Sequence, residues 1–193
     1  MDVSSNEVRS REVLTVAPAS EPIVASSAHA HLRLEGVTLS STEDTLLDAY
    51  IQASREAAEN YTDSVLINQT WELWLNRMPE IIKLGKAPIN SVSNISYYDA
   101  DNSSSIFSAG NYQLETLGQY GSQIRVFDNF PDVTTKREFP VVVTYVAGYG
   151  TAGTDCPEAL NTSVRIMLTN LWEGEEVMTE SVRFLLAPYR VFL

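Results

Sequence analysis

Leu46-Leu47-Asp48-Ala49-Tyr50-Ile51-Gln52-Ala53-Ser54-Arg55-Glu56-Ala57-Ala58-Glu59-Asn60-Tyr61-Thr62, followed closely by Leu66-Ile67-Asn68-Gln69-Thr70-Trp71-Glu72-Leu73-Trp74-Leu75, is where the chain changes its period. In the first piece Leu46, Leu47, Tyr50, Ile51, Ser54, Ala57, Ala58 and Tyr61 recur at the spacing of one helix face. Ala53, Ala57 and Ala58 are small enough to let a neighbouring helix approach closely. Ser40 stands three residues before Glu43, and Ser41 three before Asp44; either pair makes a capping box. The second piece is rich in β-formers and partly alternates, as a strand does. A capped helix running into a strand predicts an α+β fold.

Upstream, residues 1–12 are polar and aperiodic and read as a loose arm. Val13 to Val16 reads as a short strand or extended entry stopped by Pro18, and the N-terminal arm spans 1–20. Glu21 to Leu34 predicts a first helix. Pro22 would lie in its first turn, Ile23, Val24, Ala28 and Leu32 on one face, and Gly36 just past its end.

Downstream, strand-like pieces fall at Ile81–Leu84, Val92–Tyr98, Tyr112–Leu114, Ile124–Phe127 and Val141–Val146. Turn clusters at 99–105, 109–111 and 118–122 separate them. After Gly148, Gly150 and Gly153, Asp155 and Glu158 form another possible capping box for a helix opening at Pro157. Its apolar stripe is Leu160, Val164, Met167, Leu168 and Leu171. An acidic link leads to a last helix near Thr179–Leu186. The expected architecture is therefore a helical body of about four helices (21–63 and 151–187). It carries an inserted antiparallel β-domain (64–150), a small barrel or sandwich, and an extended C-terminal tail (188–193).

At 193 residues and 44% hydrophobic, the chain can bury a core within one domain, or one domain with a large insertion. Its formal charge is −12, from 25 acidic and 13 basic residues. The excess is concentrated in residues 1–63, with 11 acids and 4 bases. No basic run offers a footprint for gripping phosphates. One cysteine, Cys156, excludes an internal disulfide framework and a thiolate zinc cage. No apolar run reaches the roughly 20 residues that span a bilayer, and the N-terminus lacks a secretory pattern. The expectation is a protein assembled in a cytoplasm-like compartment.

Chemistry-bearing motifs are missing. His29 and His31 point to different sides of a helix and have no Cys or acidic cluster beside them, so no metal site is expected. Asp99 and Asp101 sit in a turn without the Gly and distal Glu of a calcium loop. Gly148-Tyr149-Gly150-Thr151-Ala152-Gly153 follows a strand and precedes a helix, but no Lys follows and the spacing fits neither phosphate-loop pattern. No nucleophile elbow is present. Trp71, Trp74, Tyr97 and Tyr98 lack the basic interleaving of a base-stacking platform and read as core and rim of the β-domain. No enzyme and no cofactor are expected.

The last stretch, Leu185-Leu186-Ala187-Pro188-Tyr189-Arg190-Val191-Phe192-Leu193, is apolar where chain ends are usually polar and frayed. Either it folds back on its own domain or it docks on another chain.

Six segments in order resemble one family. The helix Leu46–Thr62, the strand Leu66–Trp71, the run Pro88-Ile89-Asn90-Ser91-Val92 to Asp99-Ala100-Asp101, the strand Val141 to Gly150, Pro157 to Leu160, and the ending Leu185 to Arg190 resemble tailed-phage head–tail connector proteins. The resemblance covers roughly residues 23–193. It departs in the long polar arm and in the acidic link Trp172–Glu180.

The resemblance implies a structural virion protein of the neck, assembled in the host cytoplasm. It would form an adaptor ring of roughly twelve copies under the portal, built from heterologous contacts. Its other partners would be stopper or tail-completion proteins, with double-stranded DNA passing through a channel and no membrane involved. Leu185, Leu186, Pro188, Tyr189, Arg190, Val191, Phe192 and Leu193 would dock on the portal; the isolation of Arg190 in an apolar segment adds the expectation that it pairs with a partner carboxylate. Glu43, Asp44, Asp48, Glu56 and Glu59 would face the channel, repelling DNA. The alternatives are a head-closure (stopper) or tail-terminator ring, or a monomeric carbohydrate- or peptide-binding module using aromatics of the β-domain.

Overall fold

The structure is a computed structural model that describes residues 7–117, 121–127 and 130–191. The chain is α+β, as the change of period predicts, and its described residues divide between two compact units. One comprises residues up to 17 together with 69–147; the other comprises 18–68 and 148–191.

The first unit is all β. Its strands are β1 (Ser10–Val16), β2 (Gln69–Leu75), β3 (Ile81–Leu84), β4 (Ile89–Tyr98), β5 (Ser104–Phe107), β6 (Tyr112–Thr116), β7 (Ser122–Val126) and β8 (Val141–Ala147). Five form an antiparallel sheet in the order β1-β2-β8-β4-β5, and three a second sheet in the order β3-β7-β6. β8 lies at the centre of the larger sheet, and its near-continuous Val141-Val142-Val143-Thr144-Tyr145 run is what a strand covered on both faces requires. Ile82, Leu84, Ile95, Ile124, Val141, Val143 and Tyr145 are almost wholly buried.

Two expectations change here. The strand expected at 13–16 is present and longer, since residues 10–12 are not loose but open it: β1 pairs with β2 from Ser10↔Leu75 to Val16↔Thr70, so the β unit draws on the N-terminal segment as well as on the middle of the chain. The turn cluster expected at 99–105 ends early, because Ser104 and Ser105 pair with Tyr98 and Tyr97 as the start of β5. A serine-rich run looks like a loop until a partner strand takes up its amides.

The second unit is helical. It contains α1 (Ala25–His31), α2 (Ser41–Thr62), α3 (Glu158–Glu173) and α4 (Glu180–Leu186). α2 is the long element the sequence announces, 22 residues and about 33 Å of axis. Ser40 caps it with the expected box: the Ser40 amide donates to Glu43 Oε2 at 2.7 Å, and the Glu43 amide donates to Ser40 Oγ at 3.3 Å. Leu47, Ile51 and Ala58 of α2 share one core with Leu160, Val164, Met167 and Leu168 of α3 and with Val182 and Leu186 of α4.

α1 is shorter than expected. Pro22 precedes it rather than opening it, and Val24 is still extended. Nor does Asp155 cap α3. Its carboxylate accepts the Ala152 amide at 3.0 Å, closing a 3-10 turn at Gly153–Asp155, and α3 starts after Pro157 without a side-chain cap.

Residues expected in the β-domain at 64–68 and 148–150 belong to this helical unit. A parallel bridge joins Ile67 to Gly150, and the Asn68 amide donates to the Gly150 carbonyl at 2.8 Å. Gly148 is required beside it. Its φ is +142°, and a Cβ there would meet the Asn68 backbone amide nitrogen at 2.6 Å.

Candidate assembly surfaces

The helical unit is tied at its N-terminal side by a buried charge. Arg55, 5% exposed, donates from Nε to Glu21 Oε2 at 2.8 Å and from Nη1 to Glu59 Oε2 at 2.7 Å. Glu59 also accepts the Leu66 amide on its other oxygen at 2.8 Å, which fixes the chain leaving α2. Burial opposes the charge on Arg55, but the two carboxylates outweigh it and hold the guanidinium above its ordinary pKa.

This network corrects one expectation. Glu59 is 13% exposed in its side chain and is a structural ligand of Arg55, not a channel-facing charge. The other four acids, Glu43, Asp44, Asp48 and Glu56, are exposed. They do not share one face: at 100° per residue Glu43 and Glu56 stand roughly 140° apart on α2. Glu43 is also committed to the cap, and Asp44 lies 3.7 Å from His29 Nε2.

The tail answers the question the sequence left open, as far as Val191. It folds back on its own unit. Leu186 is fully buried and Val191 is 7% exposed. The Val191 amide donates to the Thr62 carbonyl at 2.7 Å, the Arg190 guanidinium lies 5.2 Å from the Tyr61 ring centroid, and Tyr189 packs against the core. Leu186 and Val191 therefore serve this chain's own core rather than presenting a docking face, because two large aliphatic side chains next to an apolar core are buried more readily than left in water. Pro188 and Arg190 remain exposed, and Leu185 and Tyr189 half-buried. Phe192 and Leu193 lie outside the described residues.

A surface residue absent from the expected set is Phe184, on α4. It is 80% exposed although Val182 and Leu186 on either side of it are buried. The signal was available: an aromatic two residues out of phase with an i, i+4 apolar pair must leave the core face of a helix. A shallow groove on the opposite side of α2 is floored by Ile23 and Ile51, with Val24, Ala49, Asp48 and Gln52 around it. Val24 is 58% exposed there.

The histidines are structural. His31 Nε2 lies 3.0 Å from Thr169 Oγ1 and 3.2 Å from the Arg165 carbonyl, which ties α1 to α3. Among the described residues no group of His, Cys, Asp or Glu could hold a metal ion, and no helix is long and apolar enough to cross a membrane. Cys156 is buried and donates to the Leu66 carbonyl; burial, followed by the charges of Asp155 and Glu59, pushes its pKa up to about 11.

No family model matches the sequence, and no curated protein matches it. Solved structures do. A chain in the neck of an empty gene transfer agent particle, computed with C6 symmetry, superposes with a TM-score of 0.77 at 21% identity, covering 95% of this chain and 96% of that one. This is the fold of a neck protein. A chain from the virion of the native gene transfer agent particle gives 0.79 at 22% identity, covering 94% and 96%. A chain from the native neck computed with C12 symmetry gives 0.70 at 22%, with the same coverage. The likeness runs through both units rather than through a shared local motif.

Proposed function

We propose that the chain is a structural subunit of the neck of a tailed phage or phage-like particle, and within it the adaptor ring beneath the portal. The observation that carries this reading is the end-to-end likeness to neck chains, at a TM-score of 0.77 over 95% of the chain. The helical unit, with α2 and α3 packed lengthwise, supplies a rigid body for a ring. The sequence resemblance to head–tail connectors, drawn from six ordered segments, points the same way. In this reading the protein has no catalytic role. DNA crosses the ring without base-specific contacts, repelled by the net charge of −12 and by exposed acids such as Asp44 and Glu56.

Docking on the portal would use the part of the C-terminal segment left at the surface, Leu185, Pro188 and Arg190, together with the final two residues. Each contact would be small, and repetition around a ring would make the joint strong.

The test is a pull-down of portal rings from the same virus. The intact chain should bind. Truncation after Val191, or Pro188→Ser with Arg190→Glu, should remove binding while circular dichroism stays unchanged. Removal of 188–193 is the wrong test, since it takes Val191 out of the core. Failure of the intact chain to bind portal, with binding to a tail or stopper ring instead, would replace the adaptor by a stopper or tail-terminator role.

A further inference from the structure

We propose that Phe184 and Arg183 of α4 dock into the groove between α1 and α2 of a second copy of this chain, and that this contact is the seam of the ring. The inference rests on the neck-ring reading above and assigns the surface that reading leaves unspecified.

Three observations carry it. The first is shape and polarity. Phe184 is an 80% exposed phenyl ring on a helix, and the groove presents the exposed Val24 and Ala49 above the buried Ile23 and Ile51.

The second is charge. Arg183 stands next to Phe184, and its ion pair among the described residues is a 3.9 Å contact with Glu176, in which both side chains are more than half exposed. Such a pair is worth little in water and leaves the cation free to find a stronger partner. The groove carries the exposed carboxylate of Asp48. A cation beside an aromatic ring thus faces an acid beside exposed apolar side chains.

The third is placement. Tyr61 borders α4 next to Phe184, while Thr45, Asp48 and Gln52 border α1. On α2 these two sets lie about 170° apart around the axis and about 18 Å apart along it. No copy can satisfy its own groove. Two complementary and different surfaces on opposite flanks of one rigid helix are what a heterologous, closing contact requires, whereas a two-fold dimer needs one self-complementary patch. The seam also takes Asp48 away from the channel wall.

The test uses the full-length chain with Cys156→Ser, in two variants, Ala49→Cys and Ala187→Cys, the latter an exposed position beside Phe184 that leaves the ring in place. They are assembled with portal rings and oxidised, mixed together and separately. Within one copy the two positions are too far apart to bridge, so a disulfide between them joins two molecules. The expected result is a cross-linked dimer only in the mixture, and a ladder of higher species when both cysteines are on one chain. In parallel, Phe184→Ser should lower the occupancy of rings at least tenfold, with circular dichroism unchanged, and Arg183→Asp should do so unless combined with Asp48→Arg. Rings that assemble normally without the cross-link, and with Phe184→Ser unimpaired, overturn the seam and leave the ring reading standing. Failure of the unmodified chain to form rings on any neck component overturns the ring reading, and the seam with it.

Discussion

The two units each depend on one acid from the N-terminal segment, and they use it in opposite ways. In the helical unit Glu21 is one of three carboxylates, with Glu59 and the more distant, half-exposed Glu56, that neutralise a buried guanidinium, Arg55. In the β unit Glu12 of β1 meets a buried neutral donor, the Tyr145 hydroxyl at the centre of β8, which donates to Glu12 Oε1. Burial first, and then the Glu12 charge, raises the Tyr145 pKa far above its ordinary value, so the phenol stays protonated and remains a donor. Gly85 makes room for this carboxylate: a Cβ there would come within 2.5 Å of Glu12 Oε2. One unit balances charge against charge; the other gives a single charge a neutral hydrogen bond. The first arrangement is the more fragile, because the loss of one member strands the others.

That asymmetry can be broken deliberately. Arg55→Ala should produce the largest loss, about 3–5 kcal/mol, since Glu59 and Glu21 would keep partly buried charge without a counter-charge. Combining Glu21→Gln, Arg55→Met and Glu59→Gln should recover most of it. The side-chain carbonyl that Glu59→Gln introduces can still accept the Leu66 amide, and no net charge is left inside. Urea denaturation of both variants gives the comparison. A single variant no weaker than the triple would mean that Arg55 acts through packing alone.

Tyr145→Phe should cost less, about 1–3 kcal/mol. It removes one donor and leaves Glu12 half-exposed, where water can reach it. Glu12→Gln in the same background should restore part of the loss, since a neutral amide tolerates the site better than an unpartnered carboxylate. Chemical denaturation followed by tryptophan fluorescence reads both, Trp71 and Trp74 being in the adjoining strand β2.

These two acids also show what a sequence can and cannot disclose. α2 was legible because a 22-residue element repeats its apolar stripe several times and announces its start with Ser40 and Glu43. The strands of the β unit were legible for the same reason, apart from the polar start of β1 at residues 10–12 and β5, whose two serines carry no apolar signal. Glu12 and Glu21 were not, because their partners lie 133 and 34 residues away and nothing local marks them. Composition alone made residues 1–20 an arm. The tail failed differently: its apolar content was plain, but whether Leu186 and Val191 face inward depends on where α2 ends, at Thr62, which no local pattern in the tail records. Of the candidate surfaces, the exposed tail positions were named in advance and Phe184 was not, although its phase against Val182 and Leu186 was there to be read.

The smallest expected effect concerns the element that was easiest to read. Ser40→Ala should destabilise the protein by about 1 kcal/mol, the usual cost of losing a helix N-cap. The same box predicts a pH dependence of fixed sign. Hydrogen bonds from the Ser40 backbone amide, and then from its hydroxyl, lower the Glu43 pKa below the ordinary 4.5. A carboxylate with a depressed folded pKa binds protons less readily than in the unfolded chain. Its contribution is therefore fully present above about pH 4.5 and is lost as the pH falls through the folded value. Carbon-detected titration of Glu43 should place its midpoint below that of a free glutamate in the wild type and return it toward the ordinary value in Ser40→Ala. An unmoved midpoint in the variant would mean that the Ser40 backbone amide, which the substitution leaves in place, sets the acidity alone and the hydroxyl adds nothing.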